Sequence, residues 1–128
     1  MTEIIVIGHG QYAEGIRTNL EMVVGVPENM HFLNFSLGQE RAELEENLRC
    51  LLEKLRDAQI LFCCDLPGAT PFQVAALETA QDLENRATVL GLNSMAFMEL
   101  AMDSQGTPAE LARRAVETTK ESAACFPE

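Results

Sequence analysis

Positive charge is scarce in this chain: nine lysines and arginines stand against 20 aspartates and glutamates, a formal net charge of −11. A field of that sign repels nucleic-acid phosphates and anionic membranes, which excludes nucleic acid as a partner and favours encounter with a basic protein surface. Any phosphate bound here must therefore find local donors. Long apolar runs are lacking too. No stretch approaches the roughly 20 residues that cross a bilayer, and the N-terminus has no basic-then-apolar signal, so a cytoplasmic protein is expected. Only two histidines occur, His9 and His31, with no carboxylate cluster beside either. That is too small a ligand set for a metal-dependent hydrolase, and neither metal nor cofactor is expected. The four cysteines, Cys50, Cys63, Cys64 and Cys125, form no C-x-x-C pair. Neighbours on a strand face opposite ways, so Cys63 and Cys64 do not share a metal. Cys50, Cys63 and Cys64 lie in apolar runs and are read as core thiols of a reducing compartment. The GxxxxGK[ST] phosphate loop is missing, and "GHGQYAEG" departs from GxGxxG in the place of its third glycine.

What is present is a regular alternation. The 128 residues suffice for one domain, residues 1–128, with a real core. "EIIVIG" (3–8) is a β-branched run ending in glycine, the mark of a buried parallel strand. Ala13, Ile16, Leu20 and Val23 follow at helical spacing. "MHFLNF" (30–35), "QILFCC" (59–64) and "ATVLGL" (87–92) are three more strands. Between them, Leu44, Leu48, Leu51, Leu52 and Leu55 define an amphipathic helix, and another helix begins at Pro71. "SMAFMELAM" (94–102) is helical and apolar on most sides, to be covered within the domain or by another subunit. The last helix runs from about Pro108 to Ala123. The two helix starts "TPFQ" (70–73) and "TPAE" (107–110) predict a threonine cap, proline in the first turn and a Gln73 or Glu110 side chain reaching back.

Such alternation predicts an α/β fold, an open and mainly parallel sheet with helices on both faces. In the common strand order 2-1-3-4, the crevice lies beyond the carboxyl ends of strands 1 and 3. His9 falls just past strand 1 and Asp65 just past strand 3. Adjacent strands lie about 4.8 Å apart, close enough for imidazole and carboxylate to meet. Asp65 would then hold one ring N–H and leave the other nitrogen as a nucleophile, stabilising the cation formed when that nitrogen is substituted. Helix starts near Gln11 and Thr70 direct backbone N–H groups at the same crevice, and Gly68 in "DLPGAT" lets the backbone come close. Nucleophile, orienting acid and anion cradle together describe a phosphoryl acceptor. Taken singly the features are bland. A His-Gly dipeptide is common, aspartate suits strand ends, and His31 reads as a structural or surface residue. A cysteine nucleophile at Cys64 would sit within its strand, whereas His9 lies outside one.

The chain resembles the IIA component of the mannose-type bacterial sugar phosphotransferase system over nearly its whole length. The resemblance rests on "IIVIGHGQYAEGI", "NFSLGQ", "DLPGATPFQVA" and "GLNSMAFMEL". It implies that His9 takes a phosphoryl group from the histidine phosphocarrier protein (HPr) and passes it to a IIB component. IIB in turn serves the membrane-embedded IIC and IID components of sugar uptake. It implies that Asp65 is the hydrogen-bonded partner and Thr70 the hydroxyl residue before Pro-Phe. Thr70, with the backbone near Gly10 and Gly68, would hold the phosphoryl oxygens. Leu37, Leu66 and Pro67 would line the docking rim. A homodimer exchanging an antiparallel C-terminal strand is also implied, short here because only "ACFPE" follows the last helix. The usual Gly-Gly-Ser of the family loop reads Gly68-Ala69-Thr70, and Pro67 stiffens it. The rival readings are a phosphohistidine subunit of a dihydroxyacetone kinase pathway, a regulatory binding module without transfer, and a phosphoenzyme hydrolase.

Overall fold

The computed structural model describes residues 1–128. Four strands, β1 (Glu3–His9), β2 (Met30–Phe35), β3 (Ile60–Cys64) and β4 (Arg86–Leu90), form one sheet in the order β2-β1-β3-β4. Every pairing is parallel. The helices are α1 (Tyr12–Val23), α2 (Arg41–Lys54), α3 (Thr70–Ala80), α4 (Ser94–Met102) and α5 (Pro108–Ser122). The expected order and helix positions hold.

Alternation along the strands divides the core in two. Ile4, Val6, Leu61, Cys63 and Val89 face α1, α4 and α5, where Ala13, Leu20, Phe97, Leu100 and Leu111 close over them. Ile5, Ile7, Ile60, Phe62 and Cys64 face α2 and α3, against Leu44, Leu48, Val74 and Ala75. Both faces of β1 and β3 are covered, which is why their sequences are continuously apolar. Cys63 and Cys64 point to opposite faces, as their adjacency requires. Cys50 does not join them. It is exposed on α2, because two residues on from the inward Leu48 is about 200° around a helix.

The apolar α4 is covered within the domain: Ala96, Phe97 and Leu100 are buried, and it packs against α1 and α5. His31 is a structural residue, its Nε2 lying 2.8 Å from Glu3 Oε1 across the β2–β1 pair. After α5, residues 123–128 are exposed and make no strand pairing within the chain. No helix is long and apolar enough to cross a membrane.

Candidate functional site

The sheet register carries His9 and Asp65 to the same edge. His9 is not the first residue beyond β1, as expected, but its last, because it still pairs with Phe35 of β2. Asp65 follows Cys64, which pairs with Ile7, so it stands one step up the neighbouring strand. Two glycines shape the exit of β1. A Cβ at Gly8 would sit 2.3 Å from Tyr12 Cδ2, so only glycine lets the first residue of α1 fold back onto the strand. Gly10 turns the chain into α1 at φ +57°, a left-handed conformation suited to glycine.

Asp65 Oδ2 accepts two hydrogen bonds from His9: the backbone N–H at 2.8 Å and ring Nδ1 at 2.7 Å. Its other oxygen accepts the Leu66 N–H at 2.9 Å. Burial alone would raise the Asp65 pKa. The His9 backbone and ring donors, the imidazole's charge and the Leu66 N–H outweigh it and hold the carboxyl below the usual aspartate value. A carboxylate at Nδ1 requires a proton there, so in the neutral ring the lone pair is on Nε2. The Asp65 side chain is 10% exposed and that of His9 41%, so the orienting group is protected while the ring opens to solvent. The Phe35 ring meets the imidazole edge-on with centroids 5.9 Å apart, so carboxylate and aromatic flank it from the two neighbouring strands.

A hollow of about 300 Å³ beside His9 is lined by Gly10, Phe35, Ser36, Leu37, Gly38 and Gln39. Its wall is a tight turn in which Gln39 N–H donates to the Ser36 carbonyl and Ser36 N–H to Gln39 Oε1, both at 2.9 Å. The turn presents Leu37 fully to solvent, and across the histidine Leu66 and Pro67 are exposed. A larger hollow, about 630 Å³, lies at the other end of the sheet among Arg49, Arg56, Asp57, Asp82 and Arg86. It contains neither member of the pair.

Two expectations are corrected by the hydrogen bonding. Thr70 does not cap α3. The cap position belongs to Ala69, Thr70 opens the helix, and Gln73 Nε2 reaches back to the Gly68 carbonyl at 2.9 Å. The sister start behaves as expected, Thr107 and Glu110 forming a reciprocal capping box. Gly10 is not a free donor either, because its N–H is given to the Phe35 carbonyl at 2.8 Å. By contrast, the N–H groups of Gly68, Ala69 and Thr70 donate to no backbone carbonyl, and Gly68 takes φ +72°. Asn34, unremarked in the sequence, accepts the Glu14 N–H at 3.1 Å and so supplies from β2 the cap that Gln11 does not give α1. Only its place one residue before Phe35 marks it.

Cys64 is not a rival nucleophile. Burial, with the Asp65 charge beside it, pushes its thiol up to about 12, and it is almost wholly enclosed. No three His, Cys, Asp or Glu side chains gather in a metal-binding group.

Fold and site together define an open α/β domain presenting a carboxylate-oriented histidine at the carboxyl edge of its sheet. The family model EIIA-man, described as PTS system fructose IIA component, matches residues 3–119, and the chain belongs to that mannose-type EIIA family of the phosphotransferase system. It is 35% identical over 125 residues to the mannose-specific EIIAB component of Escherichia coli K12, a match covering 94% of this chain and 38% of that protein. The chain thus spans well under half of that relative. It is 26% identical over 101 residues to the fructose-specific EIIA component of Bacillus subtilis, covering 78% of this chain and 68% of that one. Among solved structures, a phosphotransferase-system EIIA from Streptococcus agalactiae superposes with a TM-score of 0.88 at 26% identity, covering 98% of each chain.

Proposed function

We propose that the chain is a cytoplasmic phosphocarrier domain, residues 1–128, with His9 Nε2 as the phosphoryl acceptor and donor. The observation that carries the reading is the 2.7 Å contact between His9 Nδ1 and Asp65 Oδ2, which in the neutral ring sets the proton on Nδ1 and the lone pair on Nε2 of a side chain open to solvent. In the step proposed, the Nε2 lone pair attacks the phosphorus of the phosphohistidine on HPr. The new P–N bond forms as the donor's P–N bond breaks, and the electron pair returns to the donor imidazole. Nδ1 keeps its proton, and the cationic ring that results faces the Asp65 carboxylate. Transfer to a IIB component reverses the roles and restores the neutral ring. The free N–H groups of Gly68, Ala69 and Thr70, with the Thr70 hydroxyl released from capping, are the local donors that a chain of this charge needs for an anion. Gly10 contributes the turn rather than a bond.

Leu37 on one side of His9 and Leu66 with Pro67 on the other form an apolar rim for the docking of HPr and IIB. The net charge of −11 favours basic carriers. Through IIB the domain serves membrane IIC and IID components, and the active form is a homodimer. The family membership and the likeness to mannose- and fructose-specific components support a sugar-transport role above the kinase-pathway and regulatory readings.

The test is phosphorus NMR of the protein incubated with phosphoenolpyruvate, the general first enzyme and HPr, beside His9→Ala. We expect an acid-labile phosphohistidine signal in the wild type that IIB discharges, and none in a folded His9→Ala. Labelling of the folded variant would sink the assignment.

A further inference from the structure

Arg41 opens α2, the end of a helix where the dipole is positive and a cation is disfavoured. The start is otherwise built in the ordinary way, Glu40 and Glu43 forming a capping box. A cation is thus placed against the dipole at the sheet edge that carries His9, in a chain with few cations to place. Its guanidinium is not spent on a strong ion pair. Glu45 lies 3.5 Å from Nε in a solvent-exposed contact, of a kind that adds little.

Arg41 instead reaches the next helix. Its Nη1 donates to Gln73 Oε1 at 2.7 Å, and Gln73 Nε2 donates to the Gly68 carbonyl at 2.9 Å. A side-chain amide has one accepting and one donating end. Rotating the Gln73 amide by half a turn would set its NH₂ against the guanidinium and its oxygen against the Gly68 carbonyl. Arg41 therefore selects the orientation in which Gln73 holds Gly68. The Gly68 carbonyl and the Ala69 N–H belong to one planar peptide and point in opposite directions, so anchoring one aims the other. Gly68 needs such an anchor: it takes φ +72°, and apart from its own chain neighbours no atom lies within 4 Å of where its Cβ would be.

We propose that Arg41 acts through Gln73 as a positioning residue for the 68–70 loop, holding its free N–H groups in the arrangement that receives the phosphoryl oxygens. The inference rests on the phosphocarrier reading above. The chain of contacts runs α2 to α3 to loop, and Arg41 itself touches no reacting atom.

The experiment measures initial rates of phosphorylation from HPr, the phosphorus resonance of the product and thermal stability, on wild type and five variants. Arg41→Met is expected to slow phosphorylation about fivefold, the loss of one hydrogen bond of ordinary net strength, and to shift the resonance. Its thermal midpoint should stay or rise, because a cation leaves a helix N-terminus; a merely structural residue would move both readouts down together. Gln73→Leu should slow transfer equally, and Arg41→Met with Gln73→Leu no further, since the two act in series. Gln73→Glu keeps an acceptor for Arg41 but cannot donate to Gly68, so it should fail like leucine. Arg41→Lys should recover most of the rate. Equal rates and an unmoved resonance in Arg41→Met, with wild type labelled, would overturn the brace and leave the carrier intact. A wild type that takes no label overturns the carrier reading, and the brace with it.

Discussion

Asp65→Asn is the change that weighs most on the proposed chemistry. Asp65 accepts three N–H groups, two from His9 and one from Leu66. Asparagine keeps one accepting oxygen and turns an NH₂ toward a donor, so at least one of those bonds is lost and the charge with it. The bond that matters is the 2.7 Å contact to Nδ1, because phosphorylation at Nε2 makes the ring cationic. Hydrogen bonds to charged groups are worth about 1.5–3 kcal/mol. With the His9 ring 41% exposed, water screens part of this, and the lower end, about 1.5 kcal/mol, applies. The equilibrium constant for phosphoryl transfer from HPr, read from phosphohistidine occupancy, should fall roughly tenfold. Nitrogen-15 spectra of the imidazole should show the Nδ1–H tautomer giving way to a mixture. The stability curve carries an independent sign. The folded Asp65 pKa lies below its unfolded value, so its stabilisation is complete above the ordinary aspartate range and is lost as pH falls through the folded value. Asp65→Asn should flatten that acid limb in circular-dichroism titrations. Unchanged occupancy together with an unchanged tautomer would refute the assignment of Asp65 as the group that orients the ring.

The paired threonines make a second test. Thr107→Ala removes the acceptor of the Glu110 N–H and should cost about 1 kcal/mol of stability by denaturant titration. Thr70→Ala should leave that midpoint in place, since Thr70 is no cap, while slowing phosphoryl acceptance; a Thr70→Ala midpoint that falls as far as Thr107→Ala would restore the capping role. Gly8→Ala would place a methyl 2.3 Å from Tyr12 Cδ2 and displace a ring that also meets Phe97 edge-on. It should cost about 1–3 kcal/mol as overpacking does, and a thermal midpoint equal to wild type would contradict the close approach.

Most of the architecture was legible because burial leaves a period in the chain. Residues 4–7 are apolar without interruption since β1 is covered on both faces, and Leu44 and Leu48 repeat at the helical interval because only one face of α2 is buried. The histidine–aspartate pair was legible for a topological reason: in the order 2-1-3-4 the carboxyl ends of strands 1 and 3 are neighbours, so strand-end residues meet. Local grammar proved less dependable. "TPFQ" and "TPAE" read alike, yet only Thr107 caps: α3 starts one residue early at the Ala69 cap, the Gln73 N–H goes to the Ala69 carbonyl, and the Gln73 side chain is taken by Gly68 and Arg41. Cys50 was misread through its apolar neighbours, although its angle from Leu48 already placed it outward.

The sequence by itself determined the alternation of strands and helices, the two-sided core and the edge at which His9 stands, because periodicity and β-branching act within a few residues. Tertiary structure alone decided the bonds between residues distant in the chain. Asn34 caps a helix 20 residues before it, the Phe35 carbonyl takes the Gly10 N–H, and Arg41 reaches Gln73 across 32 residues. Those contacts follow from strand register and helix placement, which exist only once the sheet has formed, and no local pattern records which polar groups it will bring together.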